Sequence, residues 1–221
     1  MNQTLYKTRT VTDAVTINRV LRNTYTLLSM TLLFSAAMAY MSLQMNVAIM
    51  NPWLFLGGYF ALLMITSALR NSAWGILAVF ALTGFMGYTA GPIVNFYMTA
   101  YSNGGEIVMM ALGSTGVVFL ALSGIALTTK KDFSSWGKFL GVGILVAFLA
   151  AIGNIFFQIP ALSLAVSAMF VLLMSGMILF YTQQIVRGGE TNYIMATVML
   201  YIMIYNMFMS LLRLFGIMGD D

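Results

Sequence analysis

The chain has 221 residues, of which 61% are hydrophobic and only 7% are charged; its net charge is +4 and its mean hydropathy is +0.92. Soluble domains carry roughly 25% charged residues, so a water-soluble fold of this size is excluded. The chain has no Cys and no His, which removes disulfides, thiolate nucleophiles, imidazole bases and the usual zinc or haem ligands. We therefore expect a membrane protein without a cofactor, a metal site or catalytic residues.

Uncharged stretches mark where the chain can cross a bilayer, because an ionised side chain at the bilayer centre costs about 2.5–3.5 kcal/mol. Two such stretches, 23–69 and 139–186, are long enough for two helices of roughly 20 residues each. Pro52 and Pro160 follow polar turns inside them and are placed to open the next helix. The sequence predicts an all-α membrane protein, a bundle of seven transmembrane helices at 24–43, 53–69, 73–98, 106–129, 136–157, 161–186 and 192–215.

The uncharged stretch 71–105 could hold one long helix or two very short ones, and the distribution of basic residues decides between them. With one helix there, Arg70, the Lys130–Lys138 cluster and Arg187 fall on the same side as the basic N-terminal segment. This asymmetry indicates membrane orientation rather than nucleic acid binding. We expect a cytoplasmic N-terminal tail (1–23), a transmembrane domain (24–216) and a short acidic C-terminal tail outside the cell membrane (217–221).

Small residues mark one face of the third predicted helix. Gly84, Gly87 and Gly91 fall close together on it, and Gly91-Pro92 is expected to interrupt the helix. Two interpretations remain open: close helix packing with a kink, or a broken helix that lines a cavity.

The predicted turns on the basic side contain capping residues. Lys131 and Asp132 belong to a turn before the fifth helix, in which Asp132 or Ser134 can cap unpaired backbone N–H groups. Gly188-Gly189 is expected to end the sixth helix, and Glu190-Thr191 to start the seventh.

Polar side chains recur along the seventh helix. Tyr201 and Tyr205 are four residues apart, as are Asn206 and Ser210, and Arg213 follows near the outer end. Such side chains either hydrogen-bond across helices or line a conduction path. Arg213 is close enough to the helix end to reach the headgroups.

Several motifs, in their order along the chain, resemble those of the Bax inhibitor-1 family. Gly91-Pro92-Ile93 with Ala111, Thr115 and Val117-Val118-Phe119 resembles the family signature around the third and fourth helices, and Thr129–Ser134 with Gly137 resembles its cytoplasmic loop. The likeness to bacterial members covers nearly the whole chain. It is carried by Arg22–Tyr25 with Leu27-Leu28-Ser29, Gln158–Leu162, Gly188–Ile194, and Leu200-Tyr201 with Tyr205-Asn206.

The resemblance implies a multi-pass protein of the bacterial inner membrane that is not an enzyme. It implies association with the membrane-bound ATP-dependent protease FtsH and its regulatory complex, moderating the breakdown of other membrane proteins. Residues Met1–Arg22 would give the protease a cytoplasmic end to pull, and a tight bundle would make the protein a slow substrate or a competitor. The interaction candidates are Gly91, Pro92, Lys131, Asp132, Gly189, Glu190, Tyr201, Tyr205 and Asn206.

Two alternatives follow from the same resemblance. One is a Ca²⁺ or H⁺ leak channel, since leak members of the family carry a pair of interacting aspartates in helices six and seven. The corresponding positions here are Tyr181 and Met203, which supply no carboxylate, so the resemblance does not extend to that mechanism. The other is a stress-protective regulator that acts through different membrane partners.

Overall fold

A computed structural model describes the backbone of residues 2–218 and the side chains of residues 15–217. Within that part of the chain there are seven α-helices and no strand, and each helix contains a stretch long and apolar enough to cross a membrane. The predicted all-α fold with seven transmembrane helices is confirmed. The helices are α1 (Asn2–Gln44), α2 (Pro52–Leu69), α3 (Trp74–Ala100), α4 (Gly104–Thr128), α5 (Trp136–Phe157), α6 (Pro160–Val186) and α7 (Tyr193–Met218).

Local sequence signals explain where the helices begin and end. Pro52 and Pro160 are the first residues of α2 and α6, as predicted, because a proline at this position loses no helical hydrogen bond. The Asn51 side chain accepts a hydrogen bond from the Trp53 N–H at 2.9 Å and so caps α2. After α6, Gly188 adopts a left-handed φ of 74°, which turns the chain sharply towards α7.

The first helix is longer than the sequence predicted. It runs from Asn2 to Gln44, whereas the predicted span began at residue 24. The charge criterion finds where a chain can enter lipid, but Lys and Arg are good helix formers, so a helix continues past the membrane boundary. The cytoplasmic placement of residues 1–23 stays a prediction. At the other end, α7 reaches Met218, and residues 219–221 of the predicted acidic tail lie outside the described residues.

The third helix is not interrupted, contrary to prediction. Pro92 lies inside α3, which continues to Ala100. A proline within a helix removes one i→i−4 hydrogen bond but leaves the other bonds in place. In a membrane the helix is the only way for an isolated segment to pair its backbone groups, so the remaining turns stay helical.

The chain divides into two compact units. The first consists of Met1–Pro92 and Gln183–Tyr201, and the second of Ile93–Thr182 and Ile202–Asp221. The helices α3, α6 and α7 each contribute residues to both units. In α3 and α7, 61% of the most apolar window is buried, against 6% in α2 and 11% in α5. The helices α3 and α7 are thus protein-packed helices, and α2 and α5 present apolar side chains outwards, as lipid-facing helices do.

Candidate functional site

In the first unit, α1 buries a row of hydroxyl side chains. Thr24, Thr31, Ser35 and Ser42 are all at most 9% exposed. Their spacings of seven, four and seven residues keep them on one side of the helix. A polar stripe buried inside a membrane protein requires hydrogen-bond partners, because lipid offers none. Thr31 and Ser42 donate to carbonyls of α1 itself, and the Thr24 hydroxyl has no partner among the described residues.

Tyr201 of α7 supplies the interhelical partner of Ser35. Its side chain is 1% exposed, and its hydroxyl donates to the Thr83 carbonyl of α3 at 3.2 Å. The Ser35 hydroxyl of α1 lies 2.5 Å from the same oxygen. A phenol has one proton, so when the Thr83 carbonyl accepts it, the Ser35 hydroxyl is the donor to Tyr201. One phenol thereby joins three helices.

The glycines of α3 bring α1 still closer. A Cβ at Gly84 would strike the Phe34 ring, and one at Gly87 would strike the Ser35 backbone carbonyl. A Cβ at Gly91 would meet the Ser42 hydroxyl and the Ala39 carbonyl. Of the two interpretations of the glycine face, the structure shows close helix packing, and the partner helix is α1. We call Ser35, Ser42, Gly84, Gly87, Gly91 and Tyr201 the polar seam.

The polar contacts between α1 and α7 continue away from Tyr201. The Thr197 hydroxyl lies one helical turn before Tyr201 and is 3.3 Å from the Thr24 carbonyl and 2.8 Å from the Tyr193 carbonyl. Thr24 and Thr197 are fully buried. The α1–α7 contact therefore contains a second polar link, one turn of α7 away from Tyr201.

Tyr205 and Asn206 do not belong to the polar seam, since they lie in the second unit. The Asn206 side chain donates to the Ile202 carbonyl of its own helix at 2.8 Å. Tyr205 is half-buried and makes contacts of its own. The exposed Arg213 donates to the Ser163 hydroxyl at 3.3 Å, so near the end of α7 it is tied to α6.

The two positions that replace the family's aspartates also lie in the second unit. Met203 is 3% exposed, and Tyr181 is half-buried and in contact with neighbouring groups. A thioether and a phenol stand where two carboxylates would be needed. These positions hold no pair of acids that could share a proton or bind a divalent cation.

The turn between α6 and α7 is held by Asn192, which was not among the predicted capping residues. Its side-chain oxygen accepts from the Met195 N–H at 3.0 Å, so Asn192, rather than the predicted Glu190-Thr191 pair, caps α7. Its side-chain nitrogen donates to the Asn71 side chain at 2.8 Å and to the Arg70 carbonyl at 3.0 Å.

Gly189 and Glu190 support this turn. The Glu190 carboxylate accepts from the Asn192 N–H at 2.8 Å, and the Gly189 N–H donates to the Gln184 carbonyl at 2.8 Å. Neither residue starts α7. Both hold the backbone that positions Asn192.

The turn before α5 is stabilised by its own side chains. Asp132 accepts from the Ser134 N–H at 2.8 Å, and Thr129 accepts from the Lys131 N–H at 3.3 Å. Ser135 occupies the cap position of α5 without a side-chain hydrogen bond. Asp132 therefore shapes the turn. The prediction that Asp132 or Ser134 caps the helix was wrong, since Ser135 occupies that position. Lys131 and Asp132 are both exposed.

Residues 17–220 match the family model described as Inhibitor of apoptosis-promoting Bax1. The chain belongs to this family. The predicted resemblance to the Bax inhibitor-1 family is thereby confirmed over almost the whole sequence.

Curated relatives of this Bax inhibitor-1 family chain come from several bacteria. The protein named Modulator of FtsH protease YccA, from Escherichia coli K12, is 47% identical over 210 residues, which cover 95% of each chain. The protein named Inner membrane protein YccA, from Escherichia coli O6:H1, has the same identity and coverage. An uncharacterized protein of Pseudomonas aeruginosa is 51% identical over 93% of this chain and 92% of its own length. With its seven candidate spans, the chain is a multi-pass inner-membrane protein.

Proposed function

We propose that this protein binds the membrane ATP-dependent protease FtsH and moderates its action on other membrane proteins, together with the regulatory complex of the protease and without catalysing a reaction. The observation that supports this is the 47% identity, over 95% of both chains, to a protein named Modulator of FtsH protease. A match of that extent leaves about 11 of the 221 residues outside it, fewer than the shortest helix contains, so it reaches into all seven helices.

The proposed orientation puts the N-terminus and the basic turns in the cytoplasm. Arg70, Lys130, Lys131, Lys138 and Arg187 all lie in turns or helix ends that follow an even number of spans. Basic residues are retained on the cytoplasmic side during insertion. Residues 1–23 then form the end that a cytoplasmic ATPase reaches first.

The polar seam provides the physical reason for slow degradation. A protease that pulls on the N-terminus must withdraw α1, and α1 is bonded to α7 and α3 through Ser35 and Tyr201. Withdrawal also separates α1 from Gly87 and Gly91, where the two backbones touch. Interhelical hydrogen bonds in membranes contribute about 0.6 kcal/mol on average, and the close packing adds dispersion energy to that. The protein would therefore occupy FtsH for long periods.

The test uses purified FtsH and the full-length protein in proteoliposomes. We expect the intact chain to co-purify with FtsH and to be degraded slowly with ATP. Removal of residues 2–14 should leave co-purification intact and abolish degradation, because the pulling end is lost. Absence of FtsH binding by the intact chain would exclude the function, and unchanged degradation of the shortened chain would exclude the tail-first mechanism.

A second variant examines the seam itself. Tyr201→Phe should be degraded roughly five- to thirtyfold faster, the factor that corresponds to a loss of about 1–2 kcal/mol when cleavage follows the population of the opened state. Tyr40→Phe is the matched control, since Tyr40 lies on α1, the helix that Tyr201 contacts, and its side chain is 64% exposed. Equal rates for the two variants would exclude the seam as the source of resistance.

A further inference from the structure

The first part of α1 lies against the α6–α7 turn (187–192). A Cβ added at Gly188 would lie 3.4 Å from Cδ1 of Ile17 and 3.6 Å from its Cγ1, so the Ile17 side chain rests on the turn without a clash. Both residues belong to the first unit. Ile17 comes six residues before the uncharged stretch that starts at Asn23. This contact is therefore separate from the packing of the predicted span.

The same side of α1 remains packed beyond Ile17. Val20 is 8% exposed, Leu21 is half-buried and Thr24 is fully buried. These residues follow Ile17 by three, four and seven positions, which places all of them on one side of the helix. The Thr24 carbonyl lies 3.3 Å from the Thr197 hydroxyl near the beginning of α7. The contact at the turn thus continues into the bundle.

The turn that receives Ile17 is held in place at both ends. Gly188 has a φ of 74°, and its N–H donates to the Ile185 carbonyl at 3.1 Å. At the other end, the Asn192 side chain donates to the Asn71 side chain at 2.8 Å, which ties the turn to the chain between α2 and α3. Ile17 therefore rests on backbone that does not follow α1 when the helix moves.

We propose that the α6–α7 turn is a latch on α1, and that α1 cannot be drawn out from its N-terminus until Ile17 leaves the turn. Helical turns without tertiary contacts open at almost no cost, whereas packed turns resist opening. Among the described side chains, Ile17 is the first in the chain that is not exposed. It precedes Ser35 by 18 residues, about 27 Å along the helix, so a pull meets the latch before the polar seam. The effect on degradation by FtsH rests on the proposed function, but the latch itself does not.

Two matched substitutions separate docking from helix stability. Ile17→Ala removes the side chain that rests on Gly188. Val15→Ala is the control, because Val15 is also β-branched, lies two residues away in α1 and is 54% exposed. Alanine has a higher helix propensity than isoleucine or valine. Faster opening of α1 after Ile17→Ala would therefore report lost docking and not a weaker helix.

Hydrogen exchange of the full-length protein in lipid nanodiscs measures the opening. Exchange at residues 16–22 should rise about tenfold in Ile17→Ala, less than for a fully buried isoleucine, and stay unchanged in Val15→Ala. Exchange around Ser35 should stay slow in both variants, which shows that the bundle is folded. If Ile17→Ala does not fold, Ile17→Val should give a smaller rise over the same residues. Exchange equal to that of Val15→Ala would overturn the latch.

Trypsin provides a second measurement that does not involve FtsH. The Arg19 and Arg22 side chains are exposed, but a protease cleaves a helical segment only after the segment opens. We expect cleavage after Arg19 to be about tenfold faster in Ile17→Ala and unchanged in Val15→Ala. Equal cleavage rates in the two variants would overturn the latch.

Degradation by FtsH then tests what the latch controls. Ile17→Ala should be degraded several-fold faster than Val15→Ala, because the first obstacle to pulling is removed. An unchanged degradation rate together with faster trypsin cleavage would overturn the control of extraction by the latch. If FtsH does not bind the intact chain, the proposed function fails, whereas hydrogen exchange and trypsin still decide whether the latch exists.

Discussion

At Tyr201, a single phenol oxygen accepts a hydrogen bond from α1 and donates one to α3, while its own backbone belongs to α7. A side chain in this role fixes both the rotation and the axial position of three helices, because hydrogen bonds require alignment within a few tenths of an ångström. Phenylalanine would fill nearly the same volume. The hydroxyl is therefore separable from the packing of the ring.

Tyr201→Phe should lower the free energy of unfolding by about 1–2 kcal/mol, because it removes two interhelical hydrogen bonds and leaves the Ser35 hydroxyl without its partner. Reversible unfolding in mixed micelles of a mild detergent and dodecyl sulfate measures the change. Tyr40→Phe, on the exposed side of α1, should have no effect. Ser35→Ala combined with Tyr201→Phe should cost less than the sum of the two single changes, since both remove the same bond.

The glycines offer a second comparison at the residue scale. Gly87→Ala should destabilise the protein by about 1–3 kcal/mol, because the added methyl group would overlap the Ser35 carbonyl and force α1 and α3 apart. Gly116→Ala is the control, since a Cβ at Gly116 has no atom within 4 Å. We expect Gly116→Ala to cause no loss of stability, and to raise the free energy of unfolding by up to about 1 kcal/mol because alanine has the higher helix propensity. Thermal unfolding of both variants would show the difference, and similar losses would contradict it.

The members of the polar seam in α3 and α7 were singled out from the sequence, and the two in α1 were missed. The glycine face of α3 was predictable because Gly84, Gly87 and Gly91 are spaced by three and four residues, which places them on one side of a helix. Ser35 was not, since serine occurs in many helices without a special role and its partner Tyr201 is 166 residues away in sequence. The seven-four-seven spacing of hydroxyl residues in α1 was the signal available.

At the scale of the helices, Asn192 combines two roles that usually belong to different residues. It caps α7, and it bonds to the chain between α2 and α3. The beginning of α7 and the end of α2 are therefore fixed by one side chain. The capping function could be inferred from sequence in principle, but the second contact depends on a partner about 120 residues earlier in the chain.

Asn192→Ala should remove about 1–2 kcal/mol of stability and speed amide hydrogen exchange in the first turn of α7, because the Met195 N–H loses its acceptor. Asn103→Ala is the matched control. Asn103 occupies the equivalent position before α4 but forms no capping hydrogen bond through its side chain. Exchange in α4 should stay unchanged, and equal acceleration at both sites would contradict the role of Asn192.

Helix bounds were predictable to within a few residues wherever a proline, glycine or charge marks them. For α2 and α5 the two ends agree to within one residue with 53–69 and 136–157. The beginning of α1 was missed because the charged residues before position 23 mark the edge of the bilayer and do not interrupt a helix. Lipid solvation and helix formation are different properties, and the sequence signal used for α1 reports only the first.

For the molecule as a whole, composition determined the number of spans, and the placement of Lys and Arg predicts their direction. The chain has no native Cys, so labelling of introduced cysteines can test that direction without background. The division into two units was not predicted, since α3, α6 and α7 each pass from one unit to the other without a break in their sequence pattern.

Ser102→Cys and Ser134→Cys place one thiol in each of two exposed turns at opposite ends of α4. In intact spheroplasts, a membrane-impermeant maleimide should label the thiol at position 102, and the thiol at position 134 should react only after the membrane is permeabilised. This outcome follows from the basic residues around position 134, which stay in the cytoplasm. The reverse pattern would invert the orientation and remove the N-terminus from the reach of a cytoplasmic ATPase.

The length of α1 has a mechanical consequence. At 1.5 Å per residue, the helix from Asn2 to Gln44 measures about 65 Å, roughly twice the thickness of the hydrocarbon layer. An unbroken helix is stiff. A displacement of its first turn is therefore transmitted along the axis to Ser35, about 50 Å from Asn2. A partner that only tilted the beginning of α1 would thus change the alignment of Ser35 with Tyr201, even without unwinding any residue.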